Sequence, residues 1–131
     1  MNISIGRIRK SVVPARWGLL CLLILAEPRL ALAHAKLDHA KPAVGSKIKP
    51  SPDQVKIWFT DNLDPAHSSI EVKNAAGKEV DKKDAHVDSK DKSLLTVSLP
   101  DLSPGVYTVN WQVVCEDGHK TQGHFEFTVK K

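Results

Sequence analysis

The stretch from His34 to Lys131 reads as a small all-β domain, a two-sheet Greek-key sandwich or barrel of about seven strands. Apolar residues alternate with polar ones in short runs, turn residues interrupt those runs about every 8 to 12 positions, and no segment carries a helical period of useful length.

Taken in order, residues 34–41 (HAKLDHAK) form a first strand or extended arm, and Pro42, Gly45, Pro50 and Pro52 then break the chain. From Gln54 to Thr60, Val55, Ile57 and Phe59 alternate with Lys56 and Trp58, so one face is buried and Trp58 lies on the other, where it caps an edge or lines a site. Asp61-Asn62-Leu63-Asp64-Pro65 is a turn. Ser69 to Lys73 is a strand with Ile70 and Val72 inward, closed by the turn Asn74-Ala75-Ala76-Gly77. Residues 78–93 are dense in Lys and Asp, a solvated segment with at most a short edge strand. Leu95, Val97 and Leu99 mark the next strand. Val106 to Cys115 is the longest, with Tyr107, Val109, Trp111, Val113 and Cys115 on one face, and Phe125, Phe127 and Val129 define the closing strand. A domain of this size buries only about two-thirds of its unfolded surface, so its two Trp and its Leu, Val and Phe faces are expected to supply most of the stability.

Residues 1–33 read as a cleaved secretory signal peptide. Arg7, Arg9, Lys10 and Arg16 precede the apolar run Trp17 to Ala26, and the small-residue site Ala31-Leu32-Ala33 follows. That run is about half of the ~20 residues a membrane-crossing helix needs, and Pro28 and Arg29 close it. Cys21 lacks the small preceding residue that lipid attachment at a cysteine wants. Cutting after Ala33 makes His34 the new N-terminus, while Ala33-His34-Ala35 offers a competing site that would start the chain at Lys36. Export by this route places the domain, residues 34–131, in the periplasm as a soluble, monomeric chain. Its sole cysteine is then Cys115, so no intrachain disulfide can form.

Charge sorted by position excludes one class of partner. The formal charge of +4 belongs wholly to the leader, because the remainder holds 14 Lys, no Arg and 14 Asp or Glu. A nucleic-acid-binding domain would show a basic patch, and none is visible. A nucleophile triad, a phosphate loop, a Cys-x-x-Cys pair and an HExxH helix are all missing, so the protein is not expected to be an enzyme.

Metal chemistry is what the residues favour. The last two strands are joined by Glu116-Asp117-Gly118-His119-Lys120-Thr121-Gln122-Gly123, where Asp117 and His119 flank one glycine. Asp-Gly is also a common turn dipeptide, so this pair alone is compatible with an ordinary loop. The leader strengthens it, because cleavage after Ala33 gives His34 a free α-amine beside its imidazole, two nitrogens able to chelate one ion. With Asp117 oxygen and His119 nitrogen the set becomes N3O, which suits tetragonal Cu(II) better than it suits Zn(II).

At this point the sequence resembles the CopC family of periplasmic copper-resistance proteins over the whole mature chain. The opening HAKLDHAKPAVGSKI is similar to the family's His-Ala-x-Leu start followed by Pro and Gly. VKIWFTDNLDPAHSSIEVKNAAGKEV resembles its strand, acidic turn, strand and Gly turn, and LSPGVYTVNWQVVCEDGHKTQGHFEFTV resembles its closing hairpin with Asp-Gly-His. The resemblance implies a cupredoxin-like or immunoglobulin-like β-sandwich holding one Cu(II) per mature chain through His34, Asp117 and His119. It puts Asp61 where the family has an acidic residue near the copper, able to hold the amine or an imidazole. It also implies a membrane copper transporter of the CopD type, or another periplasmic copper protein, as partner.

The departures bear on the metal. Met1 is the only methionine, so the mature chain lacks the Met-rich loop that some members use for Cu(I). Cys115 stands in place of the usual Ser two residues before the Asp, and Glu116 and Lys120 replace a small residue and Pro. Cys115 shares the inward face of Trp111 and Val113 and is expected to pack in the core, with Cu(I) ligation as the alternative. Among the other histidines, His86 and His124 are expected in solvent, His39 points away from the site by strand parity, and His67, just after Asp64-Pro65, is a candidate outer ligand. Two other functions are compatible with the residues: a metal-free immunoglobulin-like interaction module, and a histidine-brace copper oxidase. The latter is disfavoured by an aspartate where such enzymes carry a further His, and by the lack of an aromatic-rich flat face.

Overall fold

In a computed structural model, the structure describes Gly6 and residues 35–131. The expected signal peptide and His34 lie outside the described residues. Contacts divide the chain into residues 1–30 and 31–131, and the strands belong to the second unit.

Eight strands form, in chain order β1 (Leu37–Lys41), β2 (Lys47–Ile48), β3 (Gln54–Phe59), β4 (Ser69–Lys73), β5 (His86–Val87), β6 (Leu94–Ser98), β7 (Gly105–Val114) and β8 (Lys120–Val129). They make two four-stranded sheets, in the orders β1-β3-β6-β5 and β2-β8-β7-β4. The two-sheet all-β expectation is met, and no helix occurs among the described residues. The strand beyond the expected count is β2, which runs parallel to the end of β8. It is two residues long and enclosed by Pro42, Gly45, Pro50 and Pro52, too short for period-two alternation to register.

Alternation decides which faces meet. In β3, Val55, Ile57 and Phe59 are buried while Lys56 and Trp58 are half-buried on the other side. β7 and β8 pair antiparallel in register from Gly105↔Val129 to Val114↔Lys120. That register sets Tyr107, Val109 and Val113 beside Phe125 and Phe127 on one buried face. The interior is completed by Val72, Leu95, Val97 and Leu63, all among the most deeply buried side chains.

The tryptophans contribute differently from expectation: neither is fully buried, and the interior is filled by Phe127, Ile57, Leu63, Leu95 and valines. Trp58 lies on the outer face and stacks on His39, ring centroids 4.4 Å apart and nearly parallel. Trp111 meets Phe59 edge to face at 5.1 Å and lies across Gly123, where an added Cβ would fall 2.5 Å from its ring. Gly123 is therefore required by close approach, since any side chain there would displace the indole.

The charged segment 78–93 also holds a structural group that composition does not announce. Asp81 is buried, and its carboxylate accepts the Val72 N–H and the Lys83 N–H, both at 2.8 Å. It ties that segment to β4. His86, expected in a solvated loop, sits in β5 and is still exposed.

Stability should respond to these carboxylates in two ways. Asp81→Ala leaves two N–H groups without acceptors and is expected to cost about 1–3 kcal/mol in urea unfolding. Hydrogen bonds from Ser98 hold the Asp84 carboxyl below the ordinary range, and the Asp91 and Lys90 N–H groups do the same for Asp88. A depressed folded pKa stabilises above the unfolded value, and that stability is lost as pH falls through the folded one. The unfolding midpoint should therefore drop as pH goes below about 4, and Asp84→Asn with Asp88→Asn should flatten that slope.

Candidate metal centre

Two backbone hydrogen bonds close the β7–β8 turn. Gly118 N–H donates to Cys115 O and Cys115 N–H donates to His119 O, both at 2.9 Å. This is the common three-residue hairpin, a β-turn over Cys115–Gly118 that ends in a left-handed residue. Gly118 supplies that residue, at φ +88°. Asp117 and His119 are thereby set on either side of one left-handed glycine, and the carboxylate folds back over the turn. Its Oδ1 accepts the His119 N–H at 3.0 Å and its Oδ2 lies 2.8 Å from His119 Nδ1.

The crossover from β3 to β4 is fastened against this turn. Leu63 bridges to Cys115, Asp64 N–H donates to Val114 O at 2.7 Å, and Glu116 N–H donates to Asn62 O at 3.3 Å. Asp61, Asn62, Cys115, Glu116 and Asp117 consequently line one cavity of about 220 Å³.

On another side comes the start of the described chain. Ala35 is buried, its N–H donates to Cys115 Sγ at 3.2 Å, and its carbonyl accepts the Thr121 hydroxyl at 2.9 Å. Lys36 exchanges hydrogen bonds with Thr60, the N–H donating to Oγ1 at 3.0 Å and the carbonyl accepting the Thr60 N–H at 2.9 Å.

Of the candidate ligands, Asp117 and His119 are together, Asp61 lines the same cavity as Asp117, and His34 lies outside the described residues. Cys115 is buried with its thiol in no disulfide. His67 is exposed and turned to Asp64, Nδ1 to Oδ2 2.8 Å, and is not part of the cavity lining. That contact, with the Ala66 N–H, holds the Asp64 carboxyl below its ordinary value. His39 is occupied by Trp58 and Asp38, and His124 faces solvent. Among the described residues no three His, Cys, Asp or Glu side chains gather into a metal-ligand cluster. Thr121, Thr60 and Asn62 were not singled out by their sequence context. Their partners are distant in the chain, 86 residues in the case of Thr121, and no local pattern reports such a contact.

Asp117 and His119 stand 2.8 Å apart through Oδ2 and Nδ1, the distance of an imidazole–carboxylate pair and the same as that of His67 and Asp64, so one carboxylate oxygen and one imidazole nitrogen lie side by side at the turn.

Residues 37–130 match the CopC domain. The chain belongs to the CopC family. It is 35% identical over 99 residues to protein YobA of Escherichia coli (strain K12), covering 75% of this chain and 80% of that one. It is 31% identical over 118 residues to the copper transport protein CutJ of Bacillus subtilis, covering 88% of this chain but 22% of CutJ. The crystal structure of CopC from Methylosinus trichosporium OB3b superposes with a TM-score of 0.70 at 35% identity, covering 74% of this chain and 94% of that one. The fold is therefore the CopC β-sandwich.

The turn geometry makes Gly118 a sensitive position. Gly118→Ala forces a Cβ into left-handed backbone and is expected to destabilise by about 1–2 kcal/mol in urea unfolding, with Gly118→Asn losing less.

Proposed function

We propose that this CopC-family protein is a periplasmic Cu(II) carrier that buffers copper, or delivers it, as part of copper resistance. Cu(II) is the cargo, one ion per processed chain, held by the α-amine and imidazole of His34 with Asp117 and His119. The reading rests above all on membership of a family whose relatives include proteins named for copper transport and copper resistance, with Asp117 Oδ2 and His119 Nδ1 side by side at 2.8 Å. Two further observations support it. The leader carries a signal-peptide layout whose cleavage after Ala33 creates the amine, and Ala35 is fastened at the foot of the hairpin bearing the other two donors.

Chemistry argues for Cu(II) over Cu(I). Amine, imidazole and carboxylate are borderline to hard donors, no methionine follows Met1, and the Cys115 sulfur is engaged by the Ala35 N–H inside the core. Asp61 in the neighbouring cavity is the group to orient the amine. The partner is a membrane copper transporter of the CopD type or another periplasmic copper protein. Because protons compete with the ion for the amine and both imidazoles, Cu(II) affinity declines as pH falls from about 8 to 5.

An EPR-monitored Cu(II) titration of protein exported and processed in cells, its intact mass verified, tests this beside a version with one residue added before His34. A saturating one-to-one tetragonal signal, lost or altered by the added residue, is expected. Weak superstoichiometric binding indifferent to that residue would overturn the ligand set.

A further inference from the structure

We infer that Cys115 and Thr121 are positioning residues for the copper site: they engage the N–H and the C=O of Ala35, fixing the residue from which the preceding one is offered to the Asp117/His119 hairpin. This clamp rests on the His34 chelate proposed as the function.

An N-terminal ligand has a specific handicap. A ligand inside a strand is held by backbone on both sides, whereas the first residue of a chain is tethered on one side only. Ordering a residue costs backbone conformational entropy, and without restraint that loss falls on metal binding. Preorganisation shifts it to folding.

The restraint is visible at the next residue. Ala35 N–H donates to Cys115 Sγ at 3.2 Å and Ala35 O accepts from Thr121 Oγ1 at 2.9 Å, so both polar groups of this residue are engaged by side chains. Its own side chain is buried in the core. The two clamp residues lie on opposite limbs of the hairpin that carries the ligands: Cys115 is two residues before Asp117, and Thr121 two residues after His119. Lys36 is held in turn by Thr60, continuing the restraint toward β1. The point at which the chain passes into the domain, Ala35, is therefore fixed on both of its polar groups.

Neither clamp residue needs to touch copper. Cys115 Sγ faces the Ala35 N–H, and a buried sulfur is a weak but adequate acceptor. The cysteine is thereby explained as a wall and acceptor, with no redox or Cu(I) role required. The clamp acts through the position of His34, so removing it should weaken Cu(II) binding more than it weakens the fold.

The test uses exported, processed protein carrying Cys115→Ala, Cys115→Ser, Thr121→Val or Thr121→Ser, with the chain extended by one residue before His34 as control. Three quantities are read: Cu(II) affinity by chelator competition, the apo unfolding midpoint, and the 15N order parameter of the Ala35 amide without metal. Loss of either hydrogen bond is expected to weaken Cu(II) binding about three- to tenfold and to lower the Ala35 order parameter from about 0.85 toward 0.6. Cys115→Ser and Thr121→Ser, which keep an acceptor and a donor, should recover most of both. Unchanged affinity and order in Cys115→Ala and Thr121→Val would overturn the clamp, as would affinity losses that track the unfolding midpoint with no change at Ala35. If the extended chain binds copper like the processed one, the His34 chelate itself fails. The clamp is then judged on the metal-free order parameter alone: a drop upholds it as a restraint on Ala35, and no change removes it.

Discussion

The in-register pairing of β7 with β8 is the constraint on which the rest of the molecule depends. Ten residues on each side are matched from Gly105↔Val129 to Val114↔Lys120, and a slip by one residue would turn every inward side chain outward. Phe125, Phe127, Val109 and Val113 would leave the interior together, each forfeiting about 1.5–3 kcal/mol of burial. The hairpin also sets the turn. With Cys115 buried at the end of one inward row, Glu116, Asp117 and Gly118 have to close the chain, and the two candidate ligands emerge at the tip of the most extensively paired element.

The other groups around the hairpin tip arrive from far away in sequence. Asp61 and Asn62 are brought by the crossover between the sheets, fastened through Leu63 and Asp64 to Cys115 and Val114. The start of the domain is brought by β1, which belongs to the opposite sheet but sends Ala35 across to Cys115 and Thr121. A sandwich gives such a place its form: segments following strands of both sheets converge beside the β7–β8 turn. Similar geometry would be hard to hold on a loop without the long hairpin behind it.

Side chains that look functional in isolation are often absorbed by structure. His39 has a carboxylate and an indole for neighbours and is occupied by both. His67 is bound to Asp64, where it helps close the crossover turn. Cys115 is buried, and its sulfur accepts the Ala35 N–H. Conversely, Asp81 resides in a lysine-rich segment that reads as solvent-facing, yet it is buried and holds two N–H groups.

Much of the protein is legible in its sequence. Period-two alternation locates β3, β4, β6, β7 and β8, because burial of one sheet face writes itself into every second residue, whereas β1 carries no such alternation and in β6 four consecutive residues are buried. The turn at Asp117-Gly118-His119 is legible because Asp-Gly is a common turn dipeptide and the glycine takes the left-handed position. Strand β2 is not legible, since two residues carry no period, and the part played by the tryptophans is not, since volume does not say which side chain a neighbouring glycine leaves room for. Tertiary structure alone decided that Ala35 meets Cys115 and Thr121 and that Asn62 meets Glu116 at one turn. These contacts are set by how two sheets stack and where their edges meet, and neither quantity has a signature in any local stretch of sequence.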